Sequence, residues 1–177
     1  STHRAKTSWP AKLGLLVLAP AFLLGLAEII ARMTVTLHPA TFFVEHARQD
    51  GVWVGDNPYY GYTIFHPRQA RTPGQSLFPA EKPPGQLRIL VLGESAAMGF
   101  PDPEFGLART LSTLLAMQFP GQSFDVINGS MTEINSHILL EIMDEAMAYQ
   151  PDIVVLYAGN NEAIGPYSPV GVFGRFY

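Results

Sequence analysis

Hydrophobic and polar positions change their rhythm twice along this chain. Leu13 to Ala31 is apolar almost without a break, and Glu28 is its only charge. A run of about 19 such residues is close to the ~20 that cross a bilayer as a helix. Residues 32–87 lose any steady period. From Arg88 onward, short apolar runs alternate with helical spacing. Ile89–Leu92 reads as a buried strand, and Leu107, Leu111, Leu114, Leu115 and Phe119 predict a helix near Gly106–Gln118. Pro120 and Gly121 end it. Phe124–Ile127 predicts a second strand. Ile134, Ile138, Ile142 and Ala146 predict a second helix to about Tyr149, with Glu141, Asp144 and Glu145 on its solvated side. Asp152–Tyr157 predicts a third strand.

That order, β-α-β-α-β, implies an α/β module with right-handed crossovers and a parallel three-stranded sheet. Each strand end carries a polar group: Ser95, Asn128 and Asn161. In a parallel sheet these ends share one edge, where ligands bind. Two helices leave one sheet edge and a face of such a module open, so a partner or further sequence is expected to cover them.

The flanks of the apolar run set its expected orientation. Arg4, Lys6 and Lys12 precede it, and Arg32 and Arg48 follow. The bias favours residues 1–12 in the cytoplasm and the remainder outside, periplasmic in a bacterium. A cleaved signal peptide is the competing reading. No A-x-A site follows the run, so an uncleaved, lipid-embedded anchor is expected at 13–31. Glu28 near its far end either snorkels to the interface or meets a partner helix.

Residues 32–50 look amphipathic and weakly structured. Residues 51–87 concentrate aromatics, including Trp53, Tyr59, Tyr60, Tyr62, Phe65 and Phe78, among six prolines. Proline at that density excludes one long helix, and the aromatics offer apolar area worth burying. The expectation for 32–87 is an extended arm packed on a domain or on a partner.

Composition removes other classes. The net charge is −4, which leaves no footprint for nucleic acid. The chain has no cysteine, which excludes disulfides, thiolate zinc sites and a thiol nucleophile. No histidine pair has metal-ligand spacing, and Gly93 and Gly99 do not complete a G-x-G-x-x-G turn. No metal or cofactor is expected.

The stretch Gly93-Glu94-Ser95, with Asn128-Gly129 and Gly159-Asn160-Asn161-Glu162, resembles the SGNH, or GDSL-type, hydrolase superfamily over roughly residues 88–165. The resemblance implies a partial SGNH (flavodoxin-like) α/β domain over 88–177. It makes Ser95 the nucleophile, with its own N–H as one oxyanion donor and the Asn161 side chain as another. Gly129 marks the oxyanion region of the second block. The glycine that the family usually carries there, counted from Asn128, falls on Glu133. Glu94 stands where the family has aspartate. The fourth block, Asp-x-x-His, which brings the general base, does not occur in these 177 residues. His137, at the start of the second helix, reads as a surface residue.

Two functions follow as expectations. One is an accessory subunit of a membrane assembly, using an incomplete SGNH module for packing against other subunits. The other is the N-terminal part of a membrane-anchored serine esterase or O-acyltransferase acting on an extracytoplasmic glycan or lipid. The apolar tail, residues 165–177, is a docking strip in the first and the start of a further segment in the second.

Overall fold

A computed structural model describes residues 9–34 and 38–168. Arg4, Lys6 and the tail beyond Ser168 therefore lie outside the described residues. The chain divides into two units, 1–38 and 39–177.

The first unit holds one helix, α1 (Trp9–Thr34), with Pro20 inside it. Its stretch Lys12–Met33 has a mean hydropathy of 2.3 and no buried residues. At 1.5 Å per residue those 22 residues reach about 33 Å, enough to cross the ~30 Å hydrocarbon core. Glu28 pairs with Arg32 one turn later at 2.7 Å.

The second unit contains two three-stranded sheets. Strands β4 (Gln86–Gly93), β5 (Ser123–Asn128) and β6 (Ile153–Tyr157) form a parallel sheet in the order β5-β4-β6. Helix α4 (Leu107–Gln118) follows β4 and packs on β5, and α5 (Ser136–Ala146) follows β5. The predicted βαβαβ order and its elements are present. Alternation along β4 turns Leu90 and Leu92 toward α5, where they join Ile127, Ile138, Leu139 and Ile142 in the core.

Residues 39–87 differ from the expected extended arm. They fold as an antiparallel sheet, β1-β2-β3, from Phe43–Arg48, Gly51–Asp56 and Leu77–Pro79, with a one-turn helix, α2 (Gly61–Ile64). The β1–β2 hairpin turns on Gln49-Asp50 and aligns Arg48 with Gly51. An Asp-Gly pair between alternating residues is a hairpin signal. The aromatics drive the packing: Phe42, Phe43, Val54, Tyr60 and Phe78 enter the same core as α5 and β4. Phe43, Phe78 and Tyr149 meet edge to face, with ring centroids 5.4–5.8 Å apart.

Arg88 ties the two sheets. It is fully buried, its Nε donates to Asp125 at 2.9 Å, and its guanidinium also donates to the carbonyls of Tyr149 and Pro79 at 2.7 Å. Glu145 departs from the expected solvated face. Its carboxylate accepts the N–H groups of Phe42 and Phe43 at 2.7 and 3.2 Å, pinning the start of β1 to α5. Glu141, Asp144 and His137 are exposed, as expected.

Strand β6 pairs only with β4 and leaves its other edge free among the described residues. Val154 and Leu156 on one face, and Ile153 and Tyr157 on the other, are between 42 and 66 % exposed. Leu114 and Phe119, expected in the core through α4, are also at least half exposed. Nothing described lies beyond β6 to cover its own side chains.

Candidate functional site

Ser95 opens α3 (Ser95–Met98), immediately after β4 ends at Gly93-Glu94. The turn is tight because Gly93 lies against β6: a Cβ there would sit 2.3 Å from the Tyr157 carbonyl oxygen. Only glycine lets the two strand ends close at this point. The Ser95 side chain is half-buried, and its hydroxyl has no hydrogen-bond partner among the described residues.

Glu94 organises the adjoining loop. Its side chain is 1 % exposed, and its carboxylate accepts the N–H groups of Gly159 and Asn160 at 3.0 Å and of Asn161 at 3.2 and 3.3 Å. Such charge-assisted bonds are roughly twice as strong as neutral ones. The loop can present three successive N–H groups to one carboxylate because Gly159 takes φ +138°.

The rest of the loop is clamped to the start of α5. Asn161 Nδ2 donates to the Ile134 carbonyl at 3.0 Å. Glu162 accepts from the Ser136 N–H at 2.9 Å and from its hydroxyl at 2.7 Å, satisfying a donor in the first turn of the helix. Asn135 Nδ2 donates to the Pro166 carbonyl at 2.7 Å. Every residue from Gly159 to Glu162 therefore has a positional reason.

Gly129, expected to mark the oxyanion region, is packed into the core. Its N–H donates to the Val91 carbonyl at 2.8 Å, and a Cβ would meet Leu92 at 2.9 Å and Leu90 at 3.1 Å. Asn128 is also structural, exchanging hydrogen bonds through its backbone with the Ser76 hydroxyl at 3.0 and 3.1 Å. The residue that stands out after β5 is Glu133. It adopts φ +65°, the left-handed region that glycine favours, and its N–H has no acceptor among the described residues. Its carboxylate turns to Arg71, 2.6 Å away, and that bond raises the already high pKa of the guanidinium.

Short links bring the three strand ends together. Met131 N–H donates to the Gly93 carbonyl at 3.2 Å, Glu94 holds Asn161, and Asn161 holds Ile134, the neighbour of Glu133. Glu133 and Asn161 share a cleft of about 610 Å³ with Ile64, Phe65, His66, Gln69 and the segment Ile164–Tyr167. Ser95 is not among the residues that line it. His66 Nδ1 accepts the Arg68 N–H at 3.4 Å. The contributions of Arg71 and His66 were not legible in the sequence, since they come from the aromatic segment. No group of three or more carboxylates or histidines suited to a metal occurs among the described residues. Compared with known protein families, with characterised proteins and with solved structures, the chain matches none.

Proposed function

We propose that the second unit belongs to the N-terminal part of an SGNH-type serine esterase or O-acyltransferase, carried outside the cytoplasm by α1 with the N-terminus inside. The observation that carries this reading is the backbone at Glu133. Counted from Asn128, Glu133 occupies the place of the family's oxyanion glycine, and it adopts a glycine-like backbone with a free N–H.

In this reading the Ser95 Oγ bonds to the ester carbonyl carbon while the carbonyl π electrons move onto oxygen. The oxyanion is held by the N–H groups of Ser95 and Glu133 and by the Asn161 amide. One N–H of that amide is committed to Ile134, which leaves the other to donate. The Ser95 proton passes to a base, which then protonates the departing alcohol oxygen as the intermediate collapses to an acyl-serine. Water, or an acceptor hydroxyl, attacks the acyl-serine and regenerates Ser95. The family draws its base from the Asp-x-x-His block. His66 is the histidine that lines the cleft of Asn161 and Glu133.

A fluorophosphonate probe tests the reading on the full chain in detergent micelles. The expected result is one adduct on the peptide carrying Ser95, lost in Ser95→Ala while the fold persists by circular dichroism. Equal labelling of Ser95→Ala refutes the nucleophile assignment.

A second reading, an accessory subunit of a membrane assembly, is favoured by the apolar side chains exposed on both faces of β6. It expects no Ser95-dependent labelling, together with a defined stoichiometric complex when the chain is extracted in mild detergent.

A further inference from the structure

We infer that Arg71 is a positioning residue that makes the Glu133 turn compatible with a developing oxyanion. The inference rests on the esterase reading of the same site and adds to it a residue from outside the β-α-β-α-β module. A carboxylate beside an oxyanion opposes it, since like charges repel. Glu133 therefore poses a problem that a glycine would not. The fold answers it with a guanidinium: Arg71 Nη2 donates to Glu133 Oε1 at 2.6 Å, which neutralises the carboxylate and commits it to one direction. The Glu133 N–H is left with no acceptor among the described residues.

The position of Arg71 is itself held by packing. Its backbone lies directly against Gly61 in α2, where a Cβ would sit 1.9 Å from the Arg71 carbonyl oxygen. Any side chain at residue 61 would displace that backbone, and the guanidinium with it. The same segment supplies Ile64, Phe65, His66 and Gln69 to the cleft wall. This segment thus walls the site, and Arg71 reaches it through Glu133 as the compensating charge.

A surface ion pair of this exposure stabilises a fold by little. The effect of Arg71 therefore belongs in turnover rather than in stability. Ester turnover of the full chain in micelles, with p-nitrophenyl acetate as the probe, separates the cases. The wild type and Ser95→Ala come first. If the two do not differ, the esterase reading fails, and this inference fails with it. If they differ, Arg71→Ala is expected to lower kcat about tenfold, with KM changed less than twofold and the melting temperature held.

Glu133→Gly removes both the carboxylate and the left-handed strain, and is expected to raise kcat. In the Glu133→Gly background, Arg71→Ala is expected to have less than a twofold effect. Arg71→Lys, which keeps the charge, is expected to retain most of the wild-type rate. If Arg71→Ala costs the same tenfold with glycine at 133, its role is structural and the inference is overturned while the esterase reading stands. No effect of Arg71→Ala in either background overturns it as well.

Discussion

Removing the Glu94 carboxylate tests the framework on which every reading of the site depends. Glu94→Ala deletes the acceptor of three successive backbone N–H groups, from Gly159, Asn160 and Asn161, at 3.0–3.3 Å. An amide left without its acceptor in a buried place costs about 1–3 kcal/mol, and bonds to a charged acceptor lie toward the upper part of that range. Water entering the vacated space recovers part of this, so the expected loss is about 3–4 kcal/mol for the three together. Glu94 itself is 1 % exposed, whereas Gly159 and Asn160 are exposed, so water reaches the freed N–H groups and the figure is an upper value.

A loss of that size is a large share of the roughly 5–15 kcal/mol that holds a small domain together. It falls first on the loop, because among the described residues the other side-chain anchors of Gly159–Glu162 lie at the start of α5. Hydrogen–deuterium exchange of the full chain in micelles, read on the peptide spanning 157–163, reports it directly. About 3 kcal/mol corresponds to exchange faster by roughly a hundredfold, with peptides of β1 and β2 changed far less. Glu94→Gln is expected to fall between the two, because its NH₂ group faces N–H donors that need acceptors. Exchange of 157–163 within a few-fold of wild type in Glu94→Ala would show that Glu94 is not what orders the loop.

Three further outcomes follow from the same structure. Arg88→Met strands the Asp125 carboxylate and three carbonyls, and should cost about 3–5 kcal/mol, read as a fall of roughly 10 °C in the melting temperature. The double variant Arg88→Met/Asp125→Leu should recover part of it, and a double variant no better than the single would refute the pairing. Burial pushes the Asp56 carboxyl well above its ordinary value, against the pull of the Ser76 N–H, and Asp56 Oδ1 is buried without a partner. A carboxyl whose pKa rises on folding holds its proton more tightly in the folded state. Stability is therefore fullest below the ordinary range near ~4 and falls as pH climbs to the raised value. Asp56→Asn should gain on the wild type between pH 4 and pH 7 in thermal melts, and a constant difference would contradict the sign. Gly93→Ala should push β6 from β4 at Tyr157 and abolish Ser95 labelling, whereas unchanged labelling would show that the turn tolerates a Cβ.

Much of the fold was legible because it is written in local periods. The apolar run of α1, the strand of β4 and the stripe of α5 each announce themselves within a dozen residues. The antiparallel sheet was less so. Prolines and scattered aromatics hid β1 and β2, although Asp50-Gly51 carried a hairpin signal that could have found them. The three-residue strand β3 has no pattern of its own and exists through its pairing with β2. In the site, Ser95 and Asn161 stood out as polar groups at strand ends, whereas Arg71 and the role of Glu94 did not.

By itself, then, the sequence determined the membrane-length helix, the βαβαβ order and the polar edge of the parallel sheet. Each follows from hydrophobic spacing between near neighbours along the chain. Only the tertiary structure decided that the aromatic segment belongs to the same core, that Gly129 is buried in packing, and that Glu133 carries the glycine-like turn. It also decided the partners of the charged groups. Glu133 meets Arg71 across 62 residues, Glu94 meets the Gly159 loop across 65, and Glu145 meets Phe42 across 103. Bonds of that sequence separation leave no local period to read. They form because folding the core brings the groups together, and at Glu94 and Glu145 an amide or carboxylate left unpaired would be costly.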